Sequence, residues 1–166
     1  MPSPSQAPSL TPTLLDRLIG GGALALLIAA IAAIARGAGR WDQVPGPVWG
    51  HLVCALVALA LTPVMLWRRR GDPPHRALGY VWVLAMTGTA ALSLMVHELR
   101  PGHFSLIHIL SVWTLINLPI IVFSARRGNI ARHARAIRGM AIGGLLIAGS
   151  FTFVFNRLLA RWLMGG

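Results

Sequence analysis

Six histidines stand in a chain otherwise poor in reactive side chains: His51, His75, His97, His103, His108 and His133. Neutral imidazole is the usual protein ligand for haem iron, copper and zinc, so these positions carry the most chemistry the sequence has to offer. A b-type haem needs two histidines from facing helices at one depth. His51 and His108 meet the depth requirement if their helices face each other, with His97 as a substitute. A copper or zinc site would draw on three of His51, His97, His103 and His108, with Glu98 as a ligand or as an acceptor behind one. No HxxxH or HxH pair singles out either site. His75 and His133, in PHRALGY and ARHARAIR, form a separate pair among arginines. The plainest role for all six is hydrogen bonding at the headgroup level. Hydrolytic catalysis is disfavoured, because no nucleophile stands beside the histidines and the only cysteine, Cys54, is inside an apolar run. The reading therefore leans against an enzyme.

These side chains need elements to hold them, and composition names the elements. Of 166 residues, 55% are hydrophobic and 11% charged, with a mean hydropathy of +0.67. A soluble domain this small cannot hide so much apolar surface, so the bilayer must. The apolar runs are long enough for about five transmembrane helices of roughly 20 residues each. They predict helices over 14–35, 51–67, 77–97, 104–124 and 139–159, an all-α integral membrane bundle filling 14–166. Residues 1–13, rich in Pro, Ser and Thr, read as a disordered tail. Helix 1 is longer than the apolar core of a cleavable signal peptide, so it is expected to be retained.

The net charge of +11 comes from 15 arginines, with no lysine, against Asp16, Asp42, Asp72 and Glu98. In a soluble protein this would suggest nucleic acid. Here the arginines gather at the ends of apolar runs, where the positive-inside rule places them, and nucleic acid is not an expected partner. Arg68, Arg69, Arg70 and Arg76 fall between helices 2 and 3, and Arg126, Arg127, Arg132, Arg135 and Arg138 between helices 4 and 5. These loops and the N-terminus are expected in the cytoplasm and the C-terminus in the periplasm. That topology puts His51, His97, His103 and His108 near the outer level and His75 and His133 at the inner one. Trp41, Trp49, Arg157, Arg161 and Trp162 read as interface anchors. The inner arginines also suit anionic lipid headgroups, which makes membrane lipids the first expected partners.

Two patterns concern packing. His108, Ser111 and Thr114 share a broad face of helix 4, from which Asn117 has turned away; interhelical hydrogen bonding is the preferred reading over a proton or quinone path. Gly139 to Gly143 is a GxxxG, extended by Gly144, Ala148 and Gly149. Close packing inside the bundle is preferred there over formation of a homo-oligomer.

Three segments in order also carry a resemblance: RRRGDPPHRALGYVWVLAM, GHFSLIHILSVWTL and ARRGNIARHARAIRGMAIGGLLIAGSFTF. With their HR-x-LGY, F-S-x-IH-x-LS and AR-x-GN-x-x-xH elements, they resemble a family of bacterial membrane proteins of unknown function. The likeness covers roughly residues 50–160, and Ala134 stands where the pattern expects arginine. It implies a multi-pass protein of the bacterial inner membrane and no defined activity. The histidines it carries over are His51, His75, His108 and His133, two outer and two inner. That division would suit two haems or a transmembrane redox path, in a redox role or in assembly of a respiratory complex. A noncatalytic structural or anionic-lipid-interacting protein is the alternative.

Overall fold

The computed structural model describes residues 11–95, 106–154 and 157–165. Its helices are α1 (Leu14–Arg36), α2 (Gly46–Trp67), α3 (Pro73–Met95), α4 (Leu106–Arg126), α5 (Ile130–Phe151) and α6 (Leu158–Met164), with a short 3-10 segment at Ala38–Gln43. No strand occurs among the described residues. Five helices, α1 to α5, are long and apolar enough to cross a membrane. Consecutive helices pack as neighbours, and the second half of α5 closes the bundle against α1.

The side chains are distributed for lipid rather than for water. Leu14, Leu18, Ile28, Leu84, Ile109, Ile116 and Phe123 point outward, while Ala23, Ala30, Ala33, Ala58, Ala85, Ala90 and Ala141 are buried between helices. Lipid tails are as apolar as leucine, so helices in a bilayer associate through close contact, and small residues bring the backbones together. Gly143 faces the Trp113 ring, and Gly144 faces Met86 and Met140. Gly143 and Gly144 thus pack within the bundle, whereas Gly139 faces open space. Trp82 crosses from α3 to α2, where its Nε1 donates to Thr62 Oγ1 (3.0 Å), and Thr62 in turn donates to the Ala58 carbonyl (2.7 Å). A polar pair buried this deep is stable because every donor finds an acceptor.

The four earlier helices begin and end close to the apolar runs, but α5 departs from the predicted 139–159. Asn129, just after Gly128 at φ +68°, accepts the Arg132 N–H with its side chain (3.0 Å) and starts the helix at Ile130. The arginine-rich stretch is therefore two helical turns and not a loop. Its three arginines recur every third residue, which gives it the polar face of an amphipathic helix. Beyond Met140 the helix widens into a π segment over Ala141–Ile147, returns to α geometry at Ala148–Phe151, and tightens into i→i+3 bonds from Thr152 to Gly149 and Phe153 to Ser150. There it ends.

The next described helix, α6, lies along α1. Trp162, expected to be a lipid-facing anchor, is instead buried, with its ring lying over Gly37. It also stands 6.4 Å from Trp49, whose ring meets Trp41 edge-on at 5.5 Å. These tryptophans make one end of the bundle. The other end holds the start of α1, the α2–α3 and α4–α5 turns, and most of the arginines.

Candidate functional site

The arginine-rich end brings together two groups of side chains. The first is the inner histidine pair. His75 lies in the first turn of α3 and His133 in the first turn of α5, with ring centroids 6.4 Å apart and planes at 70°. The structure therefore joins two histidines separated by a whole helix in sequence. His133 Nδ1 is 3.0 Å from the Ile121 carbonyl of α4. A carbonyl oxygen only accepts, so Nδ1 carries the proton, and in the neutral ring Nε2 holds the lone pair. His75 Nδ1 is buried with no hydrogen-bond partner, an unusual state for an imidazole nitrogen. Nearby, Arg126 donates to the Tyr80 hydroxyl (3.2 and 3.3 Å) and ties α4 to α3 at the same level.

Asp72 fixes the backbone under His75. As the cap of α3 it accepts the His75 N–H at Oδ1 (2.7 Å), while its other oxygen pairs with Arg68 (3.1 Å), and Pro73 takes the first helical position. The His75 N–H, joined by Arg68, holds the Asp72 carboxyl below the usual carboxylate range. A group depressed on folding contributes stability in full above its unfolded value of about 3.9 and loses it as pH falls through the lower folded value. Below about pH 4 the first turn of α3 is accordingly expected to fray, seen as faster hydrogen exchange at the His75 amide. Asp72→Asn should keep the cap and flatten that acid dependence; an equally acid-sensitive amide in the variant would show that Asp72 is not its cause.

The second group was not foreseen from the sequence. Asp16, in the first turn of α1, is fully buried, and its carboxylate meets Arg70 Nη2 at 2.5 Å, Arg138 Nε at 2.8 Å and Arg138 Nη2 at 3.0 Å. Thr13 completes it: the Thr13 N–H and hydroxyl donate to Asp16 Oδ2 (2.8 Å each), and the hydroxyl accepts from Asp16 N and from Arg138 Nη2. Thr13 and Asp16 thus form a capping box that two arginines lock from α5 and from the α2–α3 turn. A signal was present. A carboxylate one turn into an apolar helix is costly without a partner, and Thr-x-x-Asp is a capping sequence.

The outer histidines fare differently. His51 Nδ1 is 2.9 Å from the Thr89 carbonyl, so its ring is set against α3. His108 is half-buried on α4, which packs mainly on α3 and α5, while α2 packs mainly on α1 and α3. His97, Glu98 and His103 lie outside the described residues, as do residues 1–10 of the expected tail. Among the described residues, no three of His, Cys, Asp and Glu gather as a metal-ligand set. On α4, Ser111 and Thr114 are buried whereas Asn117 bonds its own helix at the Trp113 carbonyl (2.8 Å).

No family model, curated protein or solved structure matches the chain.

Proposed function

We propose that this is a multi-pass protein of the bacterial inner membrane that binds a metal centre, haem iron included, through His75 and His133, in a redox or respiratory-assembly role. The arginine-rich end is assigned to the cytoplasm by the positive-inside rule, which places the N-terminus there and the C-terminus outside.

The observation that carries this reading is the approach of the two rings. Metal–imidazole bonds of about 2.0–2.1 Å, with about 1.15 Å more from nitrogen to ring centre, would let two imidazoles share one metal at centroid separations up to roughly 6.4 Å. The measured separation is 6.4 Å. His133 has in addition the hydrogen bond behind the ring that metal-bound histidines almost always make, here to the Ile121 carbonyl. His75 offers a buried nitrogen with no competing partner. On a copper or zinc ion two protein ligands would leave positions open for an exogenous group, whereas two histidines on haem iron would suit electron transfer.

The test is metal analysis and an absorption spectrum of protein purified in mild detergent, followed by titration with Cu2+, Zn2+ and haemin. Occupancy of one centre per chain is expected, with a Soret band if it is haem. His75→Ala and His133→Ala should each lower affinity at least about tenfold, while His51→Ala leaves it unchanged. Protein that is colourless, metal-free and unable to take up any of the three would overturn the proposal.

A further inference from the structure

Above the Asp16 cluster lies a cavity of about 600 Å³ lined by Thr13, Arg70, Arg135 and Arg138, with Ala131 and Ala134 as small wall residues. Its shape follows from the offset of two helices. Arg138 meets the first turn of α1 but is eight residues into α5, so about 12 Å of α5 rises past the point where α1 begins. That overhang forms one wall.

Three guanidinium groups border the cavity, and two of them, Arg70 and Arg138, pair with the Asp16 carboxylate. Arg138 spends Nε and Nη2 on Asp16 and Thr13. Its planar fork is thereby held in place. Arg135, one turn earlier on α5, makes no ion pair among the described residues. Among the described residues no other acid pairs with these arginines. Asp72 is paired with Arg68, Asp42 belongs to the 3-10 segment at the tryptophan end, Glu98 lies outside the described residues, and residues 1–10 contain no acidic side chain. Among the described residues the arginines of the cavity therefore outnumber their paired carboxylate by two, around a space large enough for an anionic headgroup.

We infer that this cavity binds a phosphate group, with Arg135 and Arg138 as its donors. Arg135 can meet phosphate oxygens with paired N–H bonds, while Arg138, whose Nε and Nη2 are held by Asp16 and Thr13, has Nη1 left to donate and loses little freedom on binding. The site stands apart from the histidine pair and does not depend on it. Its phosphate can belong to an anionic lipid headgroup or to a free phosphate compound, and the two sources separate by experiment.

Full-length protein in zwitterionic detergent is titrated with phosphatidylglycerol, with phosphatidylcholine and with inorganic phosphate, and bound molecules are counted by native mass spectrometry. One phosphatidylglycerol retained per chain, over phosphatidylcholine, identifies a headgroup site. Retention or displacement by inorganic phosphate alone identifies a soluble ligand. Arg135→Gln, exposed and outside the Asp16 ion pairs, should weaken that binding roughly fivefold. Ala134→Leu, which fills the cavity without changing charge, should weaken it as well, whereas Arg127→Gln, in the α4–α5 turn, should not. Equal retention of both lipids with no phosphate effect overturns the inference, as does an equal loss in Arg135→Gln and Arg127→Gln.

Discussion

Replacing Asp16 by Asn is expected to cost about 3 kcal/mol of stability, although the new side chain has the same shape and keeps an acceptor for the cap. The loss comes from charge. Asp16 has no exposed surface, and Arg70 and Arg138 show only 11% and 26% of their side chains to solvent. Removing one partner of a buried ion pair leaves the other charge uncompensated, which typically costs about 3–5 kcal/mol; partial rehydration of Arg138 places this site at the low end. For a chain of this length that is a fall in Tm of about 6–12 °C, readable by thermal unfolding in detergent. A change under about 1 kcal/mol would show that the arginines find other partners. A double-mutant cycle with Arg138→Gln separates pairing from shape, because contacting charges depart from additivity by about 0.5–3 kcal/mol.

The second large effect is expected at the opposite end. Trp162→Ala should destabilise the bundle by about 3 kcal/mol, measured in the same unfolding assay. Trp162 is 3% exposed, fills the space over Gly37 and touches Trp49. Large-to-small aromatic changes in soluble cores cost about 3–5 kcal/mol. Part of that is transfer of apolar surface out of water, which counts for less beside lipid, so packing loss dominates and the lower figure applies. Gly37→Ala approaches the same contact from the other side. Its Cβ would overlap the Trp162 ring, so it should displace α6 and lower stability without removing a single atom. A Trp162→Ala protein with unchanged Tm would mean that α6 contributes nothing to holding α1.

Both effects show why some of the molecule was legible in the sequence and some was not. Hydropathy located α1 to α4 because their cores are unbroken apolar runs, and charge at the helix ends located the turns. It failed at the start of α5. A window average registers Arg132, Arg135 and Arg138 as an interruption, while their three-residue spacing after Gly128 and Asn129 is the signature of a helix with one polar face. It failed again at Trp162, because a tryptophan after an apolar run looks the same whether it faces headgroups or folds back on a glycine.

The candidate site was legible in the same uneven way. His75 and His133 share a level because each follows a charged turn at the same end, and their contact is a direct product of that topology. His51 and His108 were expected at one depth too, but depth does not say which helices are neighbours, and α3 rather than α4 is the helix against which His51 bonds. Asp16 was visible as a charge and not as a site. Its partners lie 54 and 122 residues away, and no local pattern encodes such a contact.

Those two separations also set an order in time. During synthesis at about 5–20 residues per second, α1 is made first, and its carboxylate exists for about 3–11 seconds before Arg70 is added and about 6–24 seconds before Arg138 is. Until then the helix must hold a charge near the membrane with only Thr13 to satisfy it. Arg70 is the earlier of the two partners to be made. Arg138, supplied by the first turns of α5, closes the cluster only after α1 to α4 have been made, so the ion pair is completed late in synthesis.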